Sequence, residues 1–141
     1  MGDDGHLTRG LRSLVLLAWV GVSACSQTPA FSMPPDSSPP EAVLGAYLRA
    51  LTRGDCAAGR ALGTPTFVRG NGELCGATSV TSFRIDGPAP DPSANEWVFP
   101  TTLVTTGTAD GSVQPGEMTW FYDLKRESNG QWRLAGGGSG P

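Results

Sequence analysis

The spacing of apolar residues changes once along this chain of 141 residues, near Thr78, and that change limits the folds the chain can adopt. Before it, apolar residues recur every three or four positions, which is the period of an amphipathic helix. After it, apolar and polar residues alternate, which is the period of a strand with one buried face. Helices followed by consecutive strands predict an α+β fold, with N-terminal helices packed on a four-stranded antiparallel sheet.

Two helices are predicted before this change. In the first, Ser38 is the expected N-cap, Pro39 is the first helical residue, and Glu41 completes a capping box. Gly54 is expected to end the first helix, and a second helix is predicted over residues 56–62. The apolar stripe of the first helix is formed by Val43, Leu44, Tyr47, Leu48 and Leu51.

Residues 63–77 contain several glycines and a proline, which favour a loop. Within them, residues 66–68 are predicted as either a turn of helix or a short extended piece. Gly70-Asn71-Gly72 is predicted to be a turn, because it lacks the preceding strand and the following Lys-Ser/Thr of a phosphate-binding loop.

Turn signals separate four predicted strands. Asn129-Gly130 predicts a type I′ turn before the last strand, and Asp110-Gly111 predicts a hairpin turn between the second and third strands. The glycines from residue 136 onward are either a frayed tail or a continuation of the last strand where a helix packs close. The predicted strands cover residues 79–86, 96–106, 118–125 and 131–135.

The first 24 residues have the features of a secretory signal peptide. Two arginines precede an apolar run over residues 14–24, which is shorter than the ~20 residues that cross a bilayer as a helix. The run ends in Val22-Ser23-Ala24-Cys25, which resembles a bacterial lipobox. In such signals the cysteine thiol takes a diacylglycerol and a peptidase then cuts before it.

The lipobox resemblance implies that residues 1–24 are removed and that lipidated Cys25 anchors an exported protein to the outer face of the cell membrane. The alternative is an ordinary secreted protein that is cut near Ala24. Residues 25–38 are rich in Ser and Pro and are predicted to form a flexible tether, which leaves residues 39–141 as the folded domain.

The composition of the mature chain excludes several classes of function. The one histidine of the sequence, His6, would leave with the signal, which excludes Ser-His-Asp and Cys-His catalysis and histidine-bound zinc. The net charge is −3 and the basic residues form no stripe, which argues against nucleic-acid binding. No metal or cofactor motif is present, so neither is predicted.

The sequence contains three cysteines, which is an odd number for an exported protein. If Cys25 carries lipid, Cys56 and Cys75 remain as a matched pair in an oxidising compartment, where a disulfide is expected. The alternative is two unrelated buried thiols.

The order of motifs resembles the nuclear-transport-factor-2-like superfamily of cystatin-like α+β cones, and most of all the small actinobacterial lipoproteins that carry such a domain. The resemblance implies a curved sheet that wraps a long helix and leaves a cone-shaped pocket. Members include enzymes, ligand binders and interaction domains, so the fold alone does not give the function. The matching stretches are residues 40–43, 47–51, 54–56, 120–124, 130–134 and 136–138.

Two non-enzymatic functions are predicted as alternatives. The first is a cell-envelope lipoprotein whose domain serves as a protein-interaction or structural module. The second is a binder of a small apolar ligand in the cone, because several strand aromatics could line a pocket there. The candidate lining residues are Tyr47, Trp97, Phe99, Trp120 and Tyr122, and the alternative is that these aromatics form the core and close the cone.

An isomerase or dehydratase is the less favoured hypothesis. It would require a buried carboxylate with a raised pKa. Tyr122 and Asp123 are neighbours in a strand and therefore point to opposite faces, so no catalytic residue is predicted. The nearby carboxylates are Asp86, Glu96, Glu117 and Asp123.

Overall fold

A computed structural model describes residues 30–90 and 92–140. The predicted signal and Cys25 lie outside the described residues. Within the described ranges, no helix is both long enough and apolar enough to cross a bilayer. The elements are α1 (Pro40–Thr52), α2 (Cys56–Arg60), α3 (Pro65–Val68), β1 (Val80–Ile85), β2 (Glu96–Thr105), β3 (Gly116–Arg126) and β4 (Trp132–Gly138).

The four strands form one antiparallel meander in the order β1-β2-β3-β4, which confirms the predicted α+β fold. β2 and β3 pair without interruption from Glu96 opposite Lys125 to Thr105 opposite Gly116. The registers of β1 and β4 each shift once, at irregularities of the β-bulge type. Bulges bend a strand and increase its twist, as a sheet that wraps around a helix requires.

Helix α1 begins at Pro40, so the predicted cap at Ser38 is wrong. Pro39 occupies the N-cap position in an extended conformation, with φ −66° and ψ 158°, and it makes no side-chain cap hydrogen bond. The cause is the double proline, because a proline disfavours helical angles in the residue before it. Pro40 itself is well suited to the first helical position, where no N–H is needed.

The end of α1 is as predicted at Gly54, which adopts a φ of 68°. Its N–H donates to the Leu51 carbonyl at 3.1 Å, and the N–H of Asp55 donates to the Ala50 carbonyl at 2.9 Å. This pair of bonds satisfies carbonyls that the last turn of a helix otherwise leaves free.

Two short helices follow α1. The Asp55 side chain caps α2 by accepting from the N–H of Ala58 at 3.0 Å, and α2 ends at Arg60, before the predicted limit of 62. Residues 66–68 belong to α3, a single turn that Thr64 Oγ1 caps by accepting from the N–H of Phe67 at 3.3 Å. The helical alternative for this stretch is therefore the right one.

The β3–β4 turn is correctly located, but its type was wrongly predicted. The N–H of Gly130 donates to the Glu127 carbonyl at 2.9 Å, so Ser128 and Asn129 are the central residues of the turn. Gly130 follows them with a φ of 86°. This is the three-residue hairpin loop with a glycine bulge, which needs one residue of positive φ, whereas a type I′ turn needs two.

The β2–β3 connection is a longer loop, residues 106–115, rather than a tight hairpin at Asp110-Gly111. The Asp110 carboxylate organises it by accepting from Thr108 Oγ1 at 2.6 Å and from the N–H of Ser112 at 3.0 Å. Val113 turns inward and is buried.

The glycines at the C-terminal end continue β4 to Gly138, so the frayed-tail alternative is wrong. The close neighbours of Gly137 are the Trp120 ring and the loop at Gly72, not a helix. A Cβ on Gly137 would lie 2.8 Å from Trp120 Nε1 and 3.2 Å from the Gly72 carbonyl oxygen. Only glycine leaves room for both neighbours.

The core lies between α1 and one face of the sheet. All five predicted residues of the α1 stripe are buried, and alternate residues of β2 and β3 meet them from the sheet. Phe31 also packs against this core, and the N–H of Ser38 donates to the Pro35 carbonyl at 2.9 Å. From Phe31 onward the predicted tether is therefore docked on the domain rather than free.

Candidate functional site

Three aromatic rings occupy the space between α1 and the sheet where the cone-shaped pocket was predicted. Tyr47 from α1, Phe67 from α3 and Tyr122 from β3 are each 0% exposed. Ring centroids are 5.4 Å apart for Tyr47–Phe67 and for Tyr47–Tyr122, and all three pairs meet edge to face. Aromatic rings favour this geometry, so the interior is filled by mutually stabilising side chains.

The two tyrosine hydroxyls in this interior differ in their hydrogen bonding. Tyr47 Oη accepts from the N–H of Leu74 at 3.4 Å. Tyr122 Oη lies near Tyr47 but has no partner in hydrogen-bonding geometry among the described residues, and it is buried. Burial raises the pKa of both phenols, so both hydroxyls are protonated at physiological pH and neither can act as a general base.

The loop that closes the interior is held by an ion pair that the sequence analysis did not identify. The Glu73 side chain is only 5% exposed, and its Oε2 lies 3.1 Å from Arg60 Nε. Its Oε1 accepts from the N–H of Cys75 at 2.7 Å. A loop glutamate with no periodic neighbours carries no signal of burial in the sequence, which is why it was missed.

The predicted disulfide between Cys56 and Cys75 is confirmed, with Cα atoms 5.4 Å apart. It joins the start of α2 to the loop that carries Glu73 and Leu74. Disulfide and ion pair together fix this loop over the Tyr47 ring.

The five candidate pocket residues differ in how far they are buried. Tyr47, Phe99 and Tyr122 are fully buried in the core, whereas Trp97 and Trp120 are half-buried. Trp97 stacks on Phe99 with centroids 5.9 Å apart, near the end of the sheet where β2 begins. Trp120 packs against Gly137, and its Nε1 is buried without a partner among the described residues.

The candidate carboxylates lie away from the tyrosines. Asp86 accepts from Arg84 and from Thr102 Oγ1, and these hydrogen bonds lower its pKa. Glu96 and Glu117 are exposed strand residues.

Asp123 is the one candidate with a raised carboxyl pKa, and burial is the main cause. It lies on the outer face of the sheet, where Lys125 Nζ is 3.9 Å from its Oδ2. Its Oδ1 is buried and unpartnered among the described residues. Because Tyr122 points to the opposite face, the two cannot act on one substrate atom.

An open groove of about 490 Å³ lies at the C-terminal end of α1. Its lining includes Leu51, Arg53, Gly54, Thr78 and Thr106, together with the disulfide-bonded Cys56 and Cys75. None of the predicted pocket residues contributes to it. Across residues 30–90 and 92–140, no three His, Cys, Asp or Glu side chains group together in a way that could hold a metal ion.

Comparisons with known proteins give one structural similarity. No family model matches the chain, and a search of curated proteins finds no significant match. Among solved structures, the chain is similar to the Delta 5-3-ketosteroid isomerase from Mycobacterium sp., with 18% sequence identity and a TM-score of 0.47, over 70% of this chain and 92% of that one. At these values the similarity bears on neither the activity nor the site of this chain.

Proposed function

We propose that this chain is an exported lipoprotein, anchored through Cys25 to the outer face of the cell membrane, whose α+β domain works through its surface as a protein-interaction or structural module. The proposal has two parts, the anchor and the mode of action. Each part rests on a different observation and has its own test.

The anchor is supported by the pairing of the cysteines. Of the three in the sequence, Cys56 and Cys75 are joined, which leaves Cys25 at the end of the lipobox-like motif. Disulfides persist mainly in exported proteins, so the pair is in keeping with the predicted signal.

Expression of the precursor in a bacterium that processes lipoproteins tests the anchor. The membrane-extracted protein should begin at Cys25 and carry the mass of a diacylglyceryl group, and it should remain in the membrane fraction. The Cys25→Ala variant should lose both the added mass and the membrane association. A wild-type protein cut near Ala24 without lipid would refute the anchor.

Action through the surface is supported by one observation above the others: the filled interior formed by Tyr47, Phe67 and Tyr122. A small-molecule site between helix and sheet would need an apolar space of at least about 300 Å³ there, and side chains occupy that space. The absence of histidine from the mature chain further disfavours acid–base catalysis.

Capture on the immobilised, oxidised domain tests this part. A partner retained from envelope extracts by the native domain, but not by the Cys56→Ser/Cys75→Ser control, would support an interaction module. Failure to retain any specific partner, across extracts from several growth conditions, would refute the proposed interaction module.

A further inference from the structure

We infer that the end of the domain around Met33 and Trp132 contacts the lipid bilayer, so that the membrane surface is itself a partner of the folded domain. This inference rests on the proposed anchor at Cys25. Two observations carry it: where the exposed apolar surface lies, and how little chain separates it from Cys25.

An exposed apolar side chain lies at this end of the domain. Within the described ranges, Met33 is the most exposed large hydrophobic side chain, with 48% of its surface accessible. It lines a shallow groove together with Pro34 and the half-buried Trp132. The Trp132 ring meets Trp97 edge to face at 6.3 Å, which extends the aromatic surface inward.

The chemistry of this end suits a bilayer interface. Tryptophan is enriched at the headgroup level of membranes, where its ring meets both apolar and polar surroundings. The groove is flanked by Asp36 and Arg133, one charge of each sign, so its rim carries no net charge against an anionic bilayer. Methionine adapts its shape to a disordered apolar surface more readily than a branched side chain does.

The length of chain between the anchor and the domain fixes which end meets the bilayer. Phe31 is docked on the core, and it follows Cys25 by six residues, which span at most about 20 Å when fully extended. A domain of roughly a hundred residues has a radius of gyration of about 13 Å, equivalent to a sphere of roughly 17 Å radius. To turn its far end to the membrane, the chain would have to follow roughly 50 Å of surface, more than twice its reach.

The short segment between Cys25 and Phe31 therefore holds the Met33 end of the domain against the membrane. The groove at the C-terminal end of α1 then faces away from the bilayer. Loop residues Thr106 and Gly107 line that distant groove, whereas Val43, near the start of α1, lines the groove of Met33.

Nitroxide labels at two positions test this orientation. Met33→Cys places a label at the proposed contact, and Ala109→Cys places a matched label at an exposed loop position on the opposite end. In each lipidated protein the introduced thiol is the only free one, because Cys25 carries lipid and Cys56 is paired with Cys75. The proteins are reconstituted in phosphatidylethanolamine–phosphatidylglycerol vesicles, and label accessibility to oxygen and to a water-soluble nickel chelate is measured.

The ratio of oxygen to chelate accessibility should be several-fold higher at position 33 than at position 109. Equal ratios in protein whose mass shows the lipid on Cys25 would overturn the contact and leave the anchor standing. Protein without the lipid would overturn the anchor, and this inference with it.

A second measurement keeps the inference testable if the label disturbs packing. Brominated lipids should quench part of the tryptophan emission of the lipidated wild type, and Trp132→Phe should reduce that quenching. Quenching that is unchanged in Trp132→Phe would overturn the contact.

Discussion

The two buried tyrosine hydroxyls give a sharp test of the interior, because among the described residues only Tyr47 Oη has a partner in hydrogen-bonding geometry. Tyr47→Phe and Tyr122→Phe each delete one oxygen and leave the ring in place. The aromatic packing with Phe67 is therefore kept in both variants, and only the polar atoms differ.

The two variants should differ in their free energies of unfolding. Tyr47→Phe leaves the buried N–H of Leu74 without its acceptor, and an unsatisfied buried donor costs about 1–3 kcal/mol. Tyr122→Phe removes a buried hydroxyl that has no hydrogen-bond partner within residues 30–90 and 92–140, so the free energy of unfolding should stay the same or rise by up to about 1 kcal/mol.

Urea unfolding of the oxidised domain measures both effects against the wild type. The slope of free energy against urea should be the same in all three proteins, because the surface exposed on unfolding is unchanged. A destabilisation of Tyr122→Phe as large as that of Tyr47→Phe would show that Tyr122 Oη has a partner, and the account of this interior would be wrong.

Three further predictions concern the parts that surround this interior. Cys56→Ser/Cys75→Ser should lower the free energy of unfolding by about 3 kcal/mol, the chain-entropy value for a separation of 19 residues, and a loss below about 1 kcal/mol would contradict this. Gly137→Val should shift the NMR signals of Trp120 and lower the unfolding temperature, because a Cβ has no room there, and an unchanged unfolding temperature would refute the close approach. Burial raises the pKa of Asp123, so stability should fall as pH rises from about 4, the unfolded value, through the folded value. Asp123→Asn should remove that fall in urea titrations at successive pH values, and a fall that persists would assign it to another group.

Where the sequence carried a regular period, the fold could be predicted. The α1 stripe is buried as expected because a helix places residues three and four apart on one face. The alternation of apolar and polar residues after Thr78 likewise predicts one buried face of the sheet, and Phe99, Leu103, Tyr122 and Leu124 are buried on that face.

The errors in local structure came from competing effects of neighbouring residues. Ser38 has the chemistry of an N-cap, but Pro40 forces Pro39 out of the helix and moves the start of α1 by one residue. Asn129-Gly130 can form a type I′ turn, but here the two central residues are Ser128 and Asn129, and Gly130 follows them at positive φ. Both differences are one residue in size and leave the topology unchanged.

Whether the space between α1 and the sheet is open or filled could not be predicted, because it depends on residues from the irregular stretch 63–77. Phe67 fills the centre of the interior from a one-turn helix, and no periodic pattern marks it as buried. Glu73 is nearly buried only because Arg60 and the N–H of Cys75 meet it in three dimensions. Residues outside the strands, in the stretch 63–77, therefore determine whether the aromatic strand residues line a pocket or form a core.

The most direct test of the central claim, that side chains fill the interior, uses benzene as an apolar probe. Wild-type domain and Phe67→Ala are titrated with benzene while the NMR signals of the Tyr47 and Tyr122 rings are followed. Removal of the Phe67 ring should leave an apolar cavity, and dry cavities of this kind bind benzene. The tyrosine signals should shift saturably in Phe67→Ala and stay unchanged in the wild type. A saturable shift in the wild type would reveal an open apolar pocket and contradict the account.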